Sequence, residues 1–387
     1  FQWGAVSVQF SYIFGLIASG SRRFRVLIAT GIFPPDIGGP AAYSILLRDE
    51  LARRKYKVEV LTYGPAGISR NIPKGLRHCI YFFACILGAL RTDIVFAQDP
   101  VSAGLPAMLA AKLTGRMFAI RVAGDYAWEQ ARQRFGVSAS IDDFQLAKYD
   151  WRTEFLRTIQ RFVVRHAAAV ITPSEYFRVL VSRWIPRSER VHTVYNGLLL
   201  SRMRCPPEEK RSEETIISAG RLVPWKGFLA LVDLMADLPA WRLTIAGEGP
   251  ERSTIEARIR ERGVEDRVTL AGALSQEKLF RELCRASVFV LNTSFESFSF
   301  QVVAAMHAGI PVVTTRAGNL PEIIQDGVDG MLVRPDDRMA IRDAIMKIAR
   351  DGRFRDALVK NARARAQDFS IEKNVDQLLG IFARMAP

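Results

Sequence analysis

ISAGRLVPWKG (Ile217–Gly227) sets a strand-like apolar run against a glycine, two cations and a helix-opening Pro224. The same cadence returns in RLTIAGEGPE (Arg242–Glu251), VTLAG (Val268–Gly272), VFVLNTSFESFSFQVVAAM (Val288–Met306) and GIPVVTTRAGNLPEII (Gly309–Ile324). Each apolar run stops at Gly, Ser, Thr or a charge and passes into a helical period. That alternation predicts an α/β fold with a parallel sheet whose ligand sits at the carboxyl ends of the strands. Arg221 and Lys226 stand at one such end and Glu296 at another. Two cations and a carboxylate around one cleft suit a ligand that combines a diphosphate with a hydroxyl-rich sugar.

The first half repeats the pattern. RVLIAT (Arg25–Thr30) ends in the loop GIFPPDIGGP (Gly31–Pro40), followed by a helical period over 41–56 and the strand KVEVLTYG (Lys57–Gly64). This is a βαβ unit. DIVFAQ (Asp93–Gln98), MFAIRVAG (Met117–Gly124), AAVITPS (Ala168–Ser174) and RVHTVYNG (Arg190–Gly197) continue it. The polar, proline-bearing segment 201–214 reads as a linker. At 387 residues the chain is too long for one ordinary core. The expected division is an extension over 1–22, a Rossmann-like domain over 23–198, a linker over 199–214, a second Rossmann-like domain over 215–370 and a terminal helix over 371–387.

The net charge of +14 is unevenly placed: residues 1–195 carry 26 Lys/Arg against 14 Asp/Glu, and residues 196–387 carry 28 against 26. The basic half suits an anionic membrane surface. No zinc-finger spacing or RNA-binding aromatic signature accompanies it, so nucleic acid is not the expected partner. GLRHCIYFFACILGAL (Gly75–Leu90) reads first as a helix buried against the first sheet and second as a surface helix that docks on lipid. Cys79, Cys85, Cys205 and Cys284 show neither a disulfide framework nor metal-ligand spacing, so reduced thiols in a cytoplasmic setting are expected, peripheral at the inner face of the membrane. His78, His166, His192 and His307 are scattered and read as structural or surface residues. The uncharged first 21 residues lack the leading positive charge of a signal peptide and are too interrupted for a confident spanning helix, so an extension of uncertain order is the first expectation and a membrane-associating tail the second.

The order of these pieces resembles the retaining glycosyltransferases of GT-B fold, the superfamily of glycogen synthase and the phosphatidylinositol mannosyltransferases. The resemblance runs from about Arg25 to the C-terminus, and its specific motifs lie mostly in the second half. It implies two Rossmann-like domains facing across a cleft, with the last helix crossing back onto the first domain. It also implies a nucleotide diphosphate sugar (UDP- or GDP-linked) as donor and a hydroxyl acceptor whose identity it does not give. The basic first half suggests a lipid-linked or otherwise anionic acceptor, and polysaccharide assembly is one pathway that fits. The lack of a DxD-type acidic motif gives no reason to invoke a cofactor or metal. Arg221 and Lys226 would neutralise the departing diphosphate. Glu296 would hold the sugar, and the Phe298–Ser299–Phe300 backbone would cradle phosphate at a helix start. Gly38, Gly39 and Gly247 would let backbone approach the donor. Asp125 is the candidate for positioning the acceptor, with Tyr126, Trp128 and Glu129 lining its site through hydroxyl hydrogen bonds and ring stacking. The other reading of GDYAWE (Gly124–Glu129) is a capped helix start, with Asp125 as N-cap and Trp128 in the core.

Two positions depart from the family pattern. A second Glu, eight residues after the first, binds the ribose diol in relatives, and Ala304 stands there. Losing such an acceptor costs roughly 1.5–3 kcal/mol, about ten- to a hundredfold in affinity. Ala123 stands where many relatives place a donor-contacting His. Two alternatives therefore accompany the transferase expectation: a non-hydrolysing nucleotide-sugar epimerase, and a sugar-nucleotide-binding protein with impaired catalysis.

Overall fold

Residues 24–34, 39–63, 72–206 and 212–385 are described by a computed structural model, and they build two six-stranded, all-parallel sheets. The first sheet comes from β1 (Arg25–Thr30), α1 (Gly39–Arg53), β2 (Lys57–Thr62), α2 (Lys74–Arg91), β3 (Ile94–Ala97), α3 (Gly104–Leu113) and β4 (Met117–Arg121). It continues through α4 (Tyr126–Arg134), α5 (Ile141–Leu146), α6 (Trp151–Arg165), β5 (Ala169–Thr172), α7 (Glu175–Ser182) and β6 (Val191–Thr193). The second is made of β7 (Thr215–Ala219), α8 (Phe228–Leu234), β8 (Arg242–Ala246), α9 (Arg252–Arg262), β9 (Val268–Gly272) and α10 (Gln276–Arg285). Then follow β10 (Val288–Leu291), α11 (Phe300–Ala308), β11 (Val312–Thr315), α12 (Leu320–Ile323), β12 (Met331–Val333), α13 (Arg338–Arg350), α14 (Gly352–Ala366) and α15 (Ile371–Met385).

The strands read as runs of Val, Ile, Leu and Ala because helices cover both faces of each sheet. Every residue of β3, β5, β10 and β11 is buried. Strand order is β2-β1-β3-β4-β5-β6 in the first sheet and β12-β11-β10-β7-β8-β9 in the second. Order reverses between β1 and β3, and again between β7 and β10. At such points the loops leave in opposite directions and open a crevice at the carboxyl edge. The expected two-domain α/β architecture is therefore present, and the sequence-stretch that opens the second sheet supplies one wall of its crevice.

The C-terminal helix returns to the first sheet, as the resemblance implied. Ile371, Val375, Leu378, Ile381 and Phe382 of α15 share a core with Val26, Ile28 and Phe96 of the sheet and Tyr43 and Leu47 of α1. Asn374 locks it by accepting from the Tyr43 hydroxyl (3.0 Å) and donating to the Tyr195 carbonyl (2.6 Å). Where the chain leaves the first sheet and where it comes back, the two passages run side by side. The Leu198 amide donates to the Phe369 carbonyl (2.9 Å) and the Ile371 amide to the Leu198 carbonyl (2.9 Å). A Cβ on Gly197 would lie 2.4 Å from the Ile371 Cα, so only glycine permits this approach.

Two expectations are corrected. Cys205 and Cys284 are joined in a disulfide that ties the segment after β6 to α10, so the four cysteines are not all thiols; Cys79 and Cys85 are free. The spacing gave no sign of it because the partners are 79 residues apart and meet only through the fold. Helix α2 is not simply buried, because one side packs on the sheet and the opposite side is exposed. No described helix is long and apolar enough to cross a membrane.

Candidate active site

The crevice at the β7/β10 reversal is built by backbone contacts that tolerate no side chain. After β7, Gly220 donates to the Ala246 carbonyl (3.0 Å), and a Cβ on Gly247 would fall 1.8 Å from the Gly220 carbonyl oxygen. The Arg221 loop is thus pinned to the Gly-x-Gly loop after β8. Next, Pro224–Lys226 forms a single 3-10 turn closed by Gly227 in the left-handed region (φ 62°). The Trp225 carbonyl accepts from the Ser294 amide (2.8 Å) and the Thr293 hydroxyl (2.9 Å), which fastens this turn to the loop after β10.

That fastening carries Lys226 to Glu296, and the two form a largely buried ion pair. Burial raises the Glu296 carboxyl above its usual range, while the Lys226 charge opposes the rise. The Glu296 backbone is held from the other side: its carbonyl accepts from the Asn319 amide (3.0 Å), and a Cβ on Gly318 would come within 2.0 Å of the same oxygen. Arg221 stands exposed nearby and donates to Gln133 Oε1 on α4, across the cleft, at 3.1 Å. Lys226 and Glu296 therefore meet at one strand-end crevice, and Arg221, on the loop just before the 3-10 turn, bridges to the first domain.

Helix α11 begins at this crevice. Ser299 is its N-cap and accepts from the Val302 amide (3.4 Å), leaving the first-turn amides of Phe300 and Gln301 without intrahelical partners. Phe298 is a core side chain, packed edge-on against Phe300 (5.4 Å) and Phe369 (5.7 Å), so its contribution to a ligand is its backbone alone. Gly39 faces Phe300 from the first domain: a Cβ there would sit 3.7 Å from the ring. Gly38 lies outside the described residues. Ala304 is buried in α11 among the core of the second sheet.

On the opposite wall the capped-helix reading of GDYAWE prevails. Asp125 is fully buried, with one carboxylate oxygen accepting from the Trp128 amide (3.1 Å) and Gln160 (2.9 Å) and the other from Gln145 (2.8 Å). Its carboxylate is engaged inside the domain and fully buried, so it orients α4 and is shielded from an acceptor hydroxyl in the cleft. Trp128 is likewise core, not lining, with its indole donating to the Ala139 carbonyl (3.0 Å). Tyr126 and Glu129 are half-buried. Burial pushes the Glu129 carboxyl up to about 7, with Arg221 pulling it down and Asp125 adding to the rise. A Cβ on Gly124 would lie 2.5 Å from Glu129 Oε1, so this carboxylate lies over the strand-end glycine.

Three features escaped the sequence reading. Trp225 and Phe295 project from the second domain onto Trp128, with ring centroids 5.1 and 5.0 Å away, and Arg132 sits 5.5 Å over both tryptophans. Glu322 of α12 accepts the amides that open α7, Glu175 (2.8 Å) and Tyr176 (2.6 Å), and the Tyr195 hydroxyl (2.9 Å). Asn319 is fully buried beside Glu296, and neither polar atom of its side chain has a hydrogen-bond partner. Pro-Trp-Lys-Gly and Asn-Leu-Pro-Glu signalled turns, but nothing local marked which residues would cross between domains.

The fold defines a class, that of the group 1 glycosyltransferases of GT-B architecture, and the chain belongs to it. Residues 202–365 match the family described as "Glycosyl transferases group 1" and residues 38–197 the "Glycosyl transferase 4-like domain". It is 27% identical over 389 residues to the D-inositol 3-phosphate glycosyltransferase of Mycolicibacterium smegmatis, covering 90% of this chain and 87% of that one. It is 27% identical over 240 residues to the alpha-D-kanosaminyltransferase of Streptomyces kanamyceticus, covering 58% of this chain and 62% of that protein, somewhat less than two thirds of its length. Anabaena HepE, solved in complex with UDP and glucose, superposes with a TM-score of 0.75 at 18% identity, over 94% of this chain and 100% of HepE; this likeness speaks to the fold.

Proposed function

We propose that this chain transfers a hexosyl group from a UDP- or GDP-linked sugar to an acceptor hydroxyl, with retention at the anomeric carbon. The observation that carries the reading is the buried Lys226–Glu296 pair beside exposed Arg221 at the strand-order reversal. The complex of HepE with UDP and glucose supports a nucleotide-sugar donor. In the reaction, the bond from the anomeric carbon to the β-phosphate oxygen breaks and a bond to the acceptor oxygen forms on the same face. The departing phosphate takes the acceptor proton. Arg221 and Lys226 stabilise the charge that develops on the diphosphate, as fixed donors do in a water-excluded site. Glu296 orients the sugar hydroxyls, and the first-turn amides of α11 supply further donors to phosphate. Glu129 takes the acceptor-positioning role first expected of Asp125, a reading supported by its half-buried carboxyl at the strand-end Gly124 and by the pull of Arg221 on it. These cations do the work a divalent ion does elsewhere, so no cofactor is invoked. The domain limits 23–198 and 215–370 are retained in this reading, with 199–214 as the connection. We place the protein at the face of an anionic membrane, with a lipid-linked acceptor or one in polysaccharide assembly, on the strength of the basic first half. The Cys205–Cys284 bridge removes the reduced-thiol argument for a cytoplasmic setting.

Lys226→Ala tests the assignment. Transfer should fall by about a hundredfold or more while circular dichroism stays native. Native rates in this variant would sink it. Incubation with the donor alone separates an epimerase, which would isomerise the sugar without an acceptor.

A further inference from the structure

The first sheet has two covered faces. Leu27, Ala29, Val95, Ala97, Ile120 and Val170 point to one of them, where Tyr81 and Cys85 of α2, Ala107 and Met108 of α3 and Val163 and Val164 of α6 pack down. The outer sides of these three adjoining helices are apolar as well. Fourteen large hydrophobic side chains are exposed among the described residues, and eleven of them lie on α2, α3, α5 and α6. Phe83 is 62% exposed, Leu87 60%, Leu113 71%, Trp151 74% and Phe155 59%. On α2 the exposed positions 76, 80, 83, 87 and 90 follow helical spacing. They lie half a turn away from the buried positions 81, 85 and 89. A soluble monomer rarely shows so large a contiguous apolar surface, and its presence marks an interaction site.

We infer that the α2–α3–α6 face docks flat on an anionic lipid bilayer. The charge around it selects this occupant. Helices α2 and α3 contain Arg77, Arg91 and Lys112 and no acidic residue, and α6 carries Arg152, Arg157, Arg161 and Arg165 against Glu154. Arg116 bridges their ends by donating to the Leu90 carbonyl (3.3 Å), and Arg152 lies over the Trp151 ring (5.6 Å). A second copy of the chain would set these cations against one another. A bilayer with acidic headgroups takes the arginines at the phosphate level and the apolar side chains a few ångströms below. Adjacent helices on a sheet present a broad surface rather than a groove, which fits a membrane plane better than a peptide. Docking by this face deepens the proposed peripheral setting, and α4, which packs against α6, leads from it to the cleft.

The test is vesicle flotation of the full chain without donor, so it is independent of any catalytic reading. Phosphatidylcholine vesicles are compared with phosphatidylcholine–phosphatidylglycerol vesicles. The native protein should partition onto the anionic vesicles, and Phe83→Ser/Leu87→Ser and Trp151→Ser/Phe155→Ser should each weaken partition at least about tenfold. Their thermal midpoints should stay native because the side chains are exposed, and a Val328→Ser/Met339→Ser control in the second domain should bind like the native protein. Equal binding by the two first-domain double variants overturns the inference. So does absence of native binding, or a native dimer that these variants convert to monomer.

Discussion

Glu322 reaches from one domain to cap a helix of the other: its carboxylate accepts the Tyr176 amide at 2.6 Å and the neighbouring Glu175 amide at 2.8 Å. The N-terminus of a helix presents unpaired donors and a positive potential, and a carboxylate satisfies both. Ser174 takes the Phe177 amide of the same turn (3.2 Å), so the helix start is closed from within and from across the boundary. Glu322→Ala should therefore lower unfolding free energy by about 1–3 kcal/mol. Glu322→Gln, which keeps an acceptor oxygen, should recover part of that. A denaturant melt of the three proteins decides it, and equal midpoints would mean the contact contributes nothing.

Glu129 predicts a pH dependence. Its folded carboxyl titrates near 7, above the ordinary value of 4.5, so the folded state holds the proton more tightly than the unfolded one. Stability from this group is fully present below about pH 4.5 and is lost as pH rises toward 7. Glu129→Gln should flatten the decline between those limits and leave the variant the more stable of the two at pH 8. Urea titrations across that range would show it, and parallel curves would refute it.

Ala304 tests nucleotide recognition. Ala304→Glu should tighten UDP or GDP binding about ten- to a hundredfold by calorimetry if a carboxylate at that helix position meets the ribose. Its burial means the variant must first be shown to melt normally. Unchanged affinity in a folded variant would mean that the ribose is held by other groups.

The Cys205–Cys284 bridge closes a loop across 79 residues of chain, which in the chain-entropy account is worth roughly 4 kcal/mol. The oxidised protein should melt well above the reduced one, and Cys205→Ser should melt like the reduced protein with or without oxidant. Thiol titration of the unfolded native chain should count two thiols before reduction and four after.

Much of this was legible from periodicity. Strands β1, β3, β4, β5, β8, β10 and β11 are short apolar runs bounded by turn residues, and buried parallel strands announce themselves that way. Lys226 and Glu296 were recognisable because each ends such a run. What could not be read was whatever depends on two distant segments meeting. Trp128 carries the same letters whether it stacks on a sugar or on Trp225, and Asp125 the same whether it caps a helix or holds a hydroxyl. Only the positions of Gln145 and Gln160 decide between those roles for Asp125. Glu322 sits in a motif that reads as a local turn, and its partners lie 146 and 147 residues away. Helix α2 misled for another reason: an apolar helix with two opposite stripes has the composition of a buried one.

The paired passages at Leu198 and Phe369–Ile371 bear on how the cleft can open. Two chain segments hydrogen-bonded to each other behave like the two pins of a door, because they share one line and neither can slide without the other. A swing of one domain against the other would turn about that line. The Glu322 clasp sits close to that line, since the Tyr195 hydroxyl it accepts belongs to a ring packed on Phe369, and the Trp128–Trp225 contact is a separate tie between the two walls.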